Sequence, residues 1–314
     1  MTETPTDQLS AIVDSSKGVL LIALGNPLYV RYALNLAASI KAKTPDIQIA
    51  LVHDDSLSAI SSKVTDITKF FDHLIKAPKE IYTIKDKPCY FKAKLFMYDL
   101  SPFDQTLFLD VDVIWSPINT IDKLFDELKD VEFTMISEGV IDWSTGKRDV
   151  NEKYTFWAPV EEIEKAWKEE EPFTTGKMYQ FRSELIYFVK NTKNLDFFEL
   201  AKLVFEEPRV KVMQIAECNS DEYAFNIASC LLAHYPHKDK FCPLYWHYMH
   251  EDRRMADHMV LKLHYGMSVG GNIIRSFAKD LYNRTARING QLMSIKAPYQ
   301  AVSKRDLLEE RIRL

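Results

Sequence analysis

Glycine and cysteine are scarce in this chain: 314 residues contain nine and four of them. The glycines form no G-x-G-x-x-G and no G-x-x-x-x-G-K-[ST], so the sequence has neither a dinucleotide fingerprint nor a P-loop, and any nucleotide is held another way. The cysteines Cys89, Cys218, Cys230 and Cys242 include no C-x-x-C pair, and this spacing fits reduced thiols better than a disulfide frame or a zinc site. Long apolar runs are missing too. The first, Val19 to Leu24, is too short for a membrane span or a signal peptide, and Met1 to Pro5 is polar and acidic, so a cytoplasmic location is expected. Charge of one sign is also lacking: the net charge is -5 and the pI about 5.9, which gives no basic field to draw nucleic acid. Neither repeats nor low-complexity linkers divide the chain. We expect one domain over 15–270 and a net basic, helical C-terminal extension over 271–314, a route to peripheral membrane contact or to a homo-oligomer.

Gly18 to Ala23 reads as a strand, Pro27 to Lys41 places Val30, Ala33, Leu34, Ala37 and Ile40 at helical spacing, and Ile47 to Val52 reads as a second strand. Such a βαβ unit implies an α/β fold with a parallel sheet and a ligand crevice at the strands' carboxyl ends. Gly25-Asn26-Pro27 and His53-Asp54-Asp55 fall there. Tyr90 to Leu100 reads as a helix, Ile121 to Leu128 as an amphipathic helix, and Glu132 to Ile136 and Ser183 to Val189 as strands. Helices are expected at Leu195 to Phe205 and Ser220 to Leu232, and a short strand at Met259 to Leu263. Residues 142–175, polar, aromatic and charged, read either as an insertion or acceptor-side excursion or as a solvated helix followed by a loop.

Leu107 to Trp115 is an apolar run broken only by Asp110 and Asp112, and we read it as one buried strand. Buried carboxylates need a compensating cation. Residues i and i+2 of a strand share a face, so both can converge on one ion, and hard oxygen ligands suit Mg²⁺ or Mn²⁺ carrying a phosphate group. His234, His237, His247 and His250 form a second cluster without metal-binding spacing, and their aromatic neighbours favour packing or sugar stacking.

Tyr90-Phe91-Lys92-Ala93-Lys94-Leu95, followed by Ser101 to Asp112, resembles the helix-to-D-x-D passage of GT-A fold glycosyltransferases, and of family eight in particular, the glycogenin and lipopolysaccharide galactosyltransferase group. Ala23 to Tyr29 resembles that family's nucleotide-binding opening, Ser220 to Asn226 its D-Q-D-x-x-N segment, and Leu263-His264-Tyr265-Gly266 its late H-[YF]-x-G. The four passages come in family order. Three departures stand out: Arg182 and Glu184 in the F-N-S-G segment, Glu222 for the central Gln of D-Q-D, and no K-P-W after His264, where Gly270, Gly271 or Arg275 would have to serve the phosphate.

The resemblance implies a GT-A, Rossmann-like mixed sheet, mainly parallel and flanked by helices, that moves a hexose from a UDP-sugar with retention. It implies a metal held by Asp110, Asp112 and His264, the imidazole favouring Mn²⁺ over Mg²⁺. The donor would meet Ala23, Gly25, Asn26, Tyr29, Asp54, Lys94, Asp110, Val111, Asp112 and Gly266, with Tyr29 stacking on the base. Retention requires either a carboxylate nucleophile or same-face attack, and Glu222, Asp221 and Glu184 are the candidate carboxylates. Asp221 reads equally well as an acid capping its helix. The acceptor is open: a glycan, a lipid-linked sugar, a protein or, disfavoured by the acidic balance, a modified nucleic acid. The rival readings are a silent UDP-sugar-binding module of the same fold and a sugar-nucleotide pyrophosphorylase, for which Gly25-Asn26-Pro27 is a poor nucleotide loop.

Overall fold

A computed structural model describes residues 16–58, 67–115, 119–150, 156–214, 217–239, 241–246 and 266–268. The chain opens with the expected βαβ unit: β1 (Lys17–Ala23), α1 (Pro27–Lys41) and β2 (Gln48–His53). The Asn26 side chain accepts from the Leu28 amide and Pro27 opens the first turn, which starts α1 where the sequence predicts. Both central strands bury four residues in a row rather than alternate ones, as strands covered on both faces do.

Next come β3 (His73–Lys76) and a hairpin of β4 (Thr83–Ile84) and β5 (Lys87–Pro88), turned at Lys85 and Asp86 with φ of 49° and 65°. The helix expected over Tyr90 to Leu100 is a 3₁₀-helix at Tyr90–Phe96 that relaxes into α2 (Met97–Leu100). β6 (Gln105–Leu109), β7 (Val113–Trp115) and α3 (Ile121–Glu127) follow. The strand predicted through both aspartates is therefore two strands with Asp110 to Asp112 in the turn between them. The Asp110 amide closes the first on Glu184 O at 2.9 Å, and β7 leaves for another sheet.

The second half holds β8 (Phe133–Asp142), β9 (Lys147–Asp149), α4 (Val160–Trp167), α5 (Pro172–Thr175), β10 (Lys177–Val189), α6 (Thr192–Glu206), α7 (Asp221–Leu231), β11 (Leu244–Trp246) and β12 (Gly266–Ser268). β8 and β10 run well beyond the strands expected from their apolar centres. Residues 142–175 thus contribute a β8–β9 hairpin and two short helices, of which α4 buries Ile163 and Trp167.

The main sheet has the order β3-β2-β1-β6-β10-β8-β9. β3, β2, β1, β6 and β8 point one way, and β10 and β9 the other. β11, β12 and β7 form a second sheet. One apolar cluster joins α1 and α3 to the main sheet, and a larger one joins α4, α6 and α7 to it.

Two irregularities break the β8–β10 ladder. Pairing jumps from Gln180↔Gly139 to Phe181↔Ser137, which leaves Glu138 out, and from Arg182↔Ile136 to Ile186↔Met135, which frees Ser183 to Leu185 from β8. The cysteine expectation is also corrected: Cys89 and Cys218 are joined in a disulfide, with Cα atoms 5.6 Å apart across 129 residues of sequence. No spacing rule reaches a pairing that tertiary structure alone creates.

Candidate active site

β2, β1 and β6 are neighbours, so the residues that follow them meet along one edge of the sheet. After β1, which ends at Ala23, Gly25 adopts a φ of +81°, a conformation that disfavours any residue with a Cβ. A Cβ there would also fall on the Tyr90 ring. The Gly25 amide donates to Asp54 Oδ2 at 2.7 Å, while Asp54 Oδ1 accepts from Ser56 and caps the turn after β2. Asn26 is occupied with capping α1. Tyr29 is 40% exposed and Tyr90 39%, so neither is a core tyrosine. The Tyr90 ring stacks on Tyr82 at 5.9 Å.

The centre of the site lies where β6 ends. Lys94, on the 3₁₀-helix, is no surface lysine: its Nζ donates to Asp110 at 2.8 Å and to Ser183 Oγ at 2.9 Å, and lies 3.8 Å from Asp221 Oδ2. Val111 is buried in the turn between the aspartates. Asp221 follows the helix-capping Ser220, so it is a first-turn acid of α7 as well as a site residue. Burial lowers the Lys94 affinity for its proton, but Asp110 and Asp221 outweigh burial and hold the ammonium above its ordinary range. Burial raises the Asp110 pKa despite Lys94. Burial and the neighbouring Asp110 charge push Asp112 up to about 7, and Asp112 has no ion pair among the described residues.

Glu222 lies one residue beyond Asp221 and is 7% exposed. Its Oε1 accepts the Ser183 amide at 3.1 Å, and its Oε2 accepts Trp157 Nε1 at 2.6 Å and Arg182 at 3.4 Å. One helical turn later Asn226 Oδ1 accepts the Phe181 amide at 3.0 Å. The irregular stretch of β10 is thus satisfied from α7 by side chains at i and i+4. Burial raises the Glu222 pKa, with Arg182 opposing it. Glu184 reaches Arg182 at 3.4 Å through one oxygen, and burial pushes it up to about 8 against that partner. Burial likewise pushes Glu138 up to about 7. Buried oxygens of Glu138, Glu184 and Asp221 have no hydrogen-bond partner among the described residues.

Lys94, Asp110, Asp221, Glu184 and Glu222, chosen from sequence, therefore converge, and Ala23, Gly25, Asn26 and Asp54 gather at the neighbouring strand ends. Gly266 opens β12, which pairs with β7 immediately after the aspartates. His264, Gly270, Gly271 and Arg275 lie outside the described residues, as do 271–314, the strand expected at Met259 to Leu263, His247 and His250. His234 is a packing residue: it bonds Asn194 at 2.6 Å, stacks on Phe133 at 4.4 Å, and burial pushes its pKa down to about 4. Glu138, Ser183 and Trp157 were not singled out from sequence. The partners of Ser183 and Trp157 are too far along the chain for local pattern to show, and Glu138 is set apart by the register of two distant strands.

A βαβ opening, an acidic turn closing the fourth parallel strand and an antiparallel return bearing further acids define the GT-A fold of glycosyltransferases, and this chain has that fold. The galactosyltransferase LgtC, solved in complex with donor and acceptor sugar analogues, is similar with a TM-score of 0.53 at 16% identity, over 94% of this chain and 100% of that one. An active-site glutamine-to-glutamate mutant of LgtC gives 0.52 at 14% identity over the same shares. The bifunctional glycosyltransferase WbbM, in its apo form, gives 0.53 at 13% identity over 96% of this chain and 52% of that one. No protein-family model and no curated protein matches the sequence. Among the described residues no helix is long and apolar enough to cross a membrane, and no three His, Cys, Asp or Glu side chains form a ready metal site.

Proposed function

We propose that this protein is a metal-dependent glycosyltransferase that moves a hexose from a UDP-sugar to an acceptor with retention. The observation that carries this reading is the Lys94–Asp110–Asp221 cluster. It is a buried, charged centre at the carboxyl edge of the sheet, where open α/β folds bind their ligands. Among the described residues its acids outnumber its cations: Asp110, Asp112, Glu138, Glu184, Asp221 and Glu222 surround Lys94 and Arg182. The raised proton affinity of Asp112 and the orphaned oxygens are what a cation and a polyhydroxyl ligand would relieve.

Asp110 and Asp112 would hold the metal, with His264 as the further ligand that the resemblance implies. The donor set suits Mn²⁺, with Mg²⁺ the alternative. Bound there, the cation supplies positive charge against the departing diphosphate. The chain's own residues do the rest. Lys94 fixes the Asp110 carboxylate and adds a second positive charge at the leaving group. Asp221 offers Oδ2, which faces Lys94 at 3.8 Å but accepts no hydrogen bond among the described residues, to a sugar hydroxyl, and Glu184 stands next to Asp110 through the β6–β10 pairing. Gly25, Asn26 and Asp54 shape the nucleotide end, and Tyr29 presents an exposed ring for the base.

A second reading has one observation in its favour: both Glu222 oxygens are already engaged, so a module that binds the UDP-sugar without turnover fits that position. One assay separates the two. Purified protein with Mn²⁺ and UDP-glucose, UDP-galactose or their N-acetyl forms should release UDP, and chelation should stop it. Tight UDP binding with no release for any donor would favour the module, and no binding would overturn both.

A further inference from the structure

We infer that Trp157 is a positioning residue of this site, the far end of a hydrogen-bonded relay that reaches Asp110. The links are continuous. Trp157 Nε1 donates to Glu222 Oε2 at 2.6 Å, Glu222 Oε1 accepts the Ser183 amide at 3.1 Å, Ser183 Oγ accepts Lys94 Nζ at 2.9 Å, and Lys94 reaches Asp110 at 2.8 Å. The loop closes because the Asp110 amide donates to Glu184 O, one residue beyond Ser183. Every link after Trp157 belongs to the cluster already described, whereas Trp157 comes from the 142–175 region.

The backbone supplies a second, independent observation. Trp157 has a φ of +65°, a conformation that is strained for a bulky aromatic residue and persists only where the surroundings enforce it. They do so here from two sides: its carbonyl accepts the Met213 amide at 2.7 Å, and its indole is held by Glu222. A relaxed backbone at 157 would re-aim the indole. The strained conformation therefore keeps the N–H on the one carboxylate that satisfies the freed Ser183 amide. Removing that N–H leaves Glu222 held only by the longer Arg182 contact and the Ser183 amide, and Ser183, and with it Lys94, less firmly placed.

This inference rests on the glycosyltransferase reading only for its kinetic arm. Trp157→Phe removes the N–H and shrinks the ring. Benzothienylalanine at position 157 removes the N–H and keeps the shape, while 5-fluorotryptophan keeps both and serves as the rescue. Amide exchange at Ser183 should quicken about tenfold or more in the first two proteins and not in the third, as loss of a charge-assisted bond implies. UDP-sugar hydrolysis should lose about tenfold to a hundredfold in kcat with little change in donor KM. Unchanged exchange at Ser183 in both N–H-free proteins overturns the relay. Faster exchange with unchanged kcat overturns the positioning role. If the unmodified protein turns over no UDP-sugar, faster exchange still supports the relay, and it is the functional reading that falls.

Discussion

Replacing Glu222 by Gln separates a chemical role from a structural one. The carboxylate receives three donors, the Ser183 amide on one oxygen and the Trp157 indole and Arg182 guanidinium on the other. An amide has one oxygen and one NH₂, so either orientation turns an NH₂ toward an N–H. The side chain would lose a charge-assisted bond worth about 1.5–3 kcal/mol and strand a buried donor at about 1–3 kcal/mol. Together these give roughly 2.5–6 kcal/mol, which brackets the roughly 3–5 kcal/mol measured when one partner of a buried charged pair is removed, and the measured range sets the expected shift. At about 2 °C per kcal/mol for a protein of this size, the midpoint should fall by roughly 6–10 °C. Differential scanning calorimetry at pH 7.5 measures this directly. A residue that served only as a nucleophile would lose turnover and keep its Tm. A midpoint within about 2 °C of the unmodified protein, less than 1 kcal/mol on that scale, would refute the keystone role assigned to Glu222.

Lys94→Met leaves Asp110 and Asp221 buried without their cation, so it should cost about 3–5 kcal/mol in urea unfolding and abolish UDP release. Gly25→Ala demands a left-handed backbone from alanine and displaces Tyr90, so it should destabilise by more than about 1 kcal/mol and weaken UDP binding in calorimetric titration. Glu138 has a folded pKa of about 7, above its unfolded value, so its contribution to stability is complete below the unfolded pKa and is lost as pH rises toward 7. The Tm of Glu138→Gln should therefore gain on that of the parent between pH 5 and pH 8, and parallel curves would contradict this.

The βαβ opening was legible because its signals are local: an Asn cap, a Pro at the first turn and two apolar runs of strand length. The break at Asp110 to Asp112 was not, since Val111 and Val113 continue the apolar pattern and only the partner strands reveal that the chain changes sheets there. The site was half legible. Lys94, Asp110, Asp221 and Glu222 stand in recognisable passages. The ejection of Glu138 and of Ser183 to Leu185 from the β8–β10 ladder, in contrast, depends on how two distant strands align, and no residue at those positions announces it. Tyr29 and Tyr90 show the same limit, as exposure separates a core ring from a ligand platform and sequence does not.

The Cys89–Cys218 link has a thermodynamic consequence. It closes a loop of 129 residues that contains most of the sheet's second half and ends five residues before Lys94 and three before Asp221. In the chain-entropy view, closing a loop of that size removes about 5 kcal/mol of freedom from the unfolded ensemble. That is comparable to the whole net stability of many domains, about 5–15 kcal/mol. A sample kept under thiol reductant and one kept without it would therefore unfold from different reference states, and the buffer's redox poise belongs among the stated conditions of every melting curve.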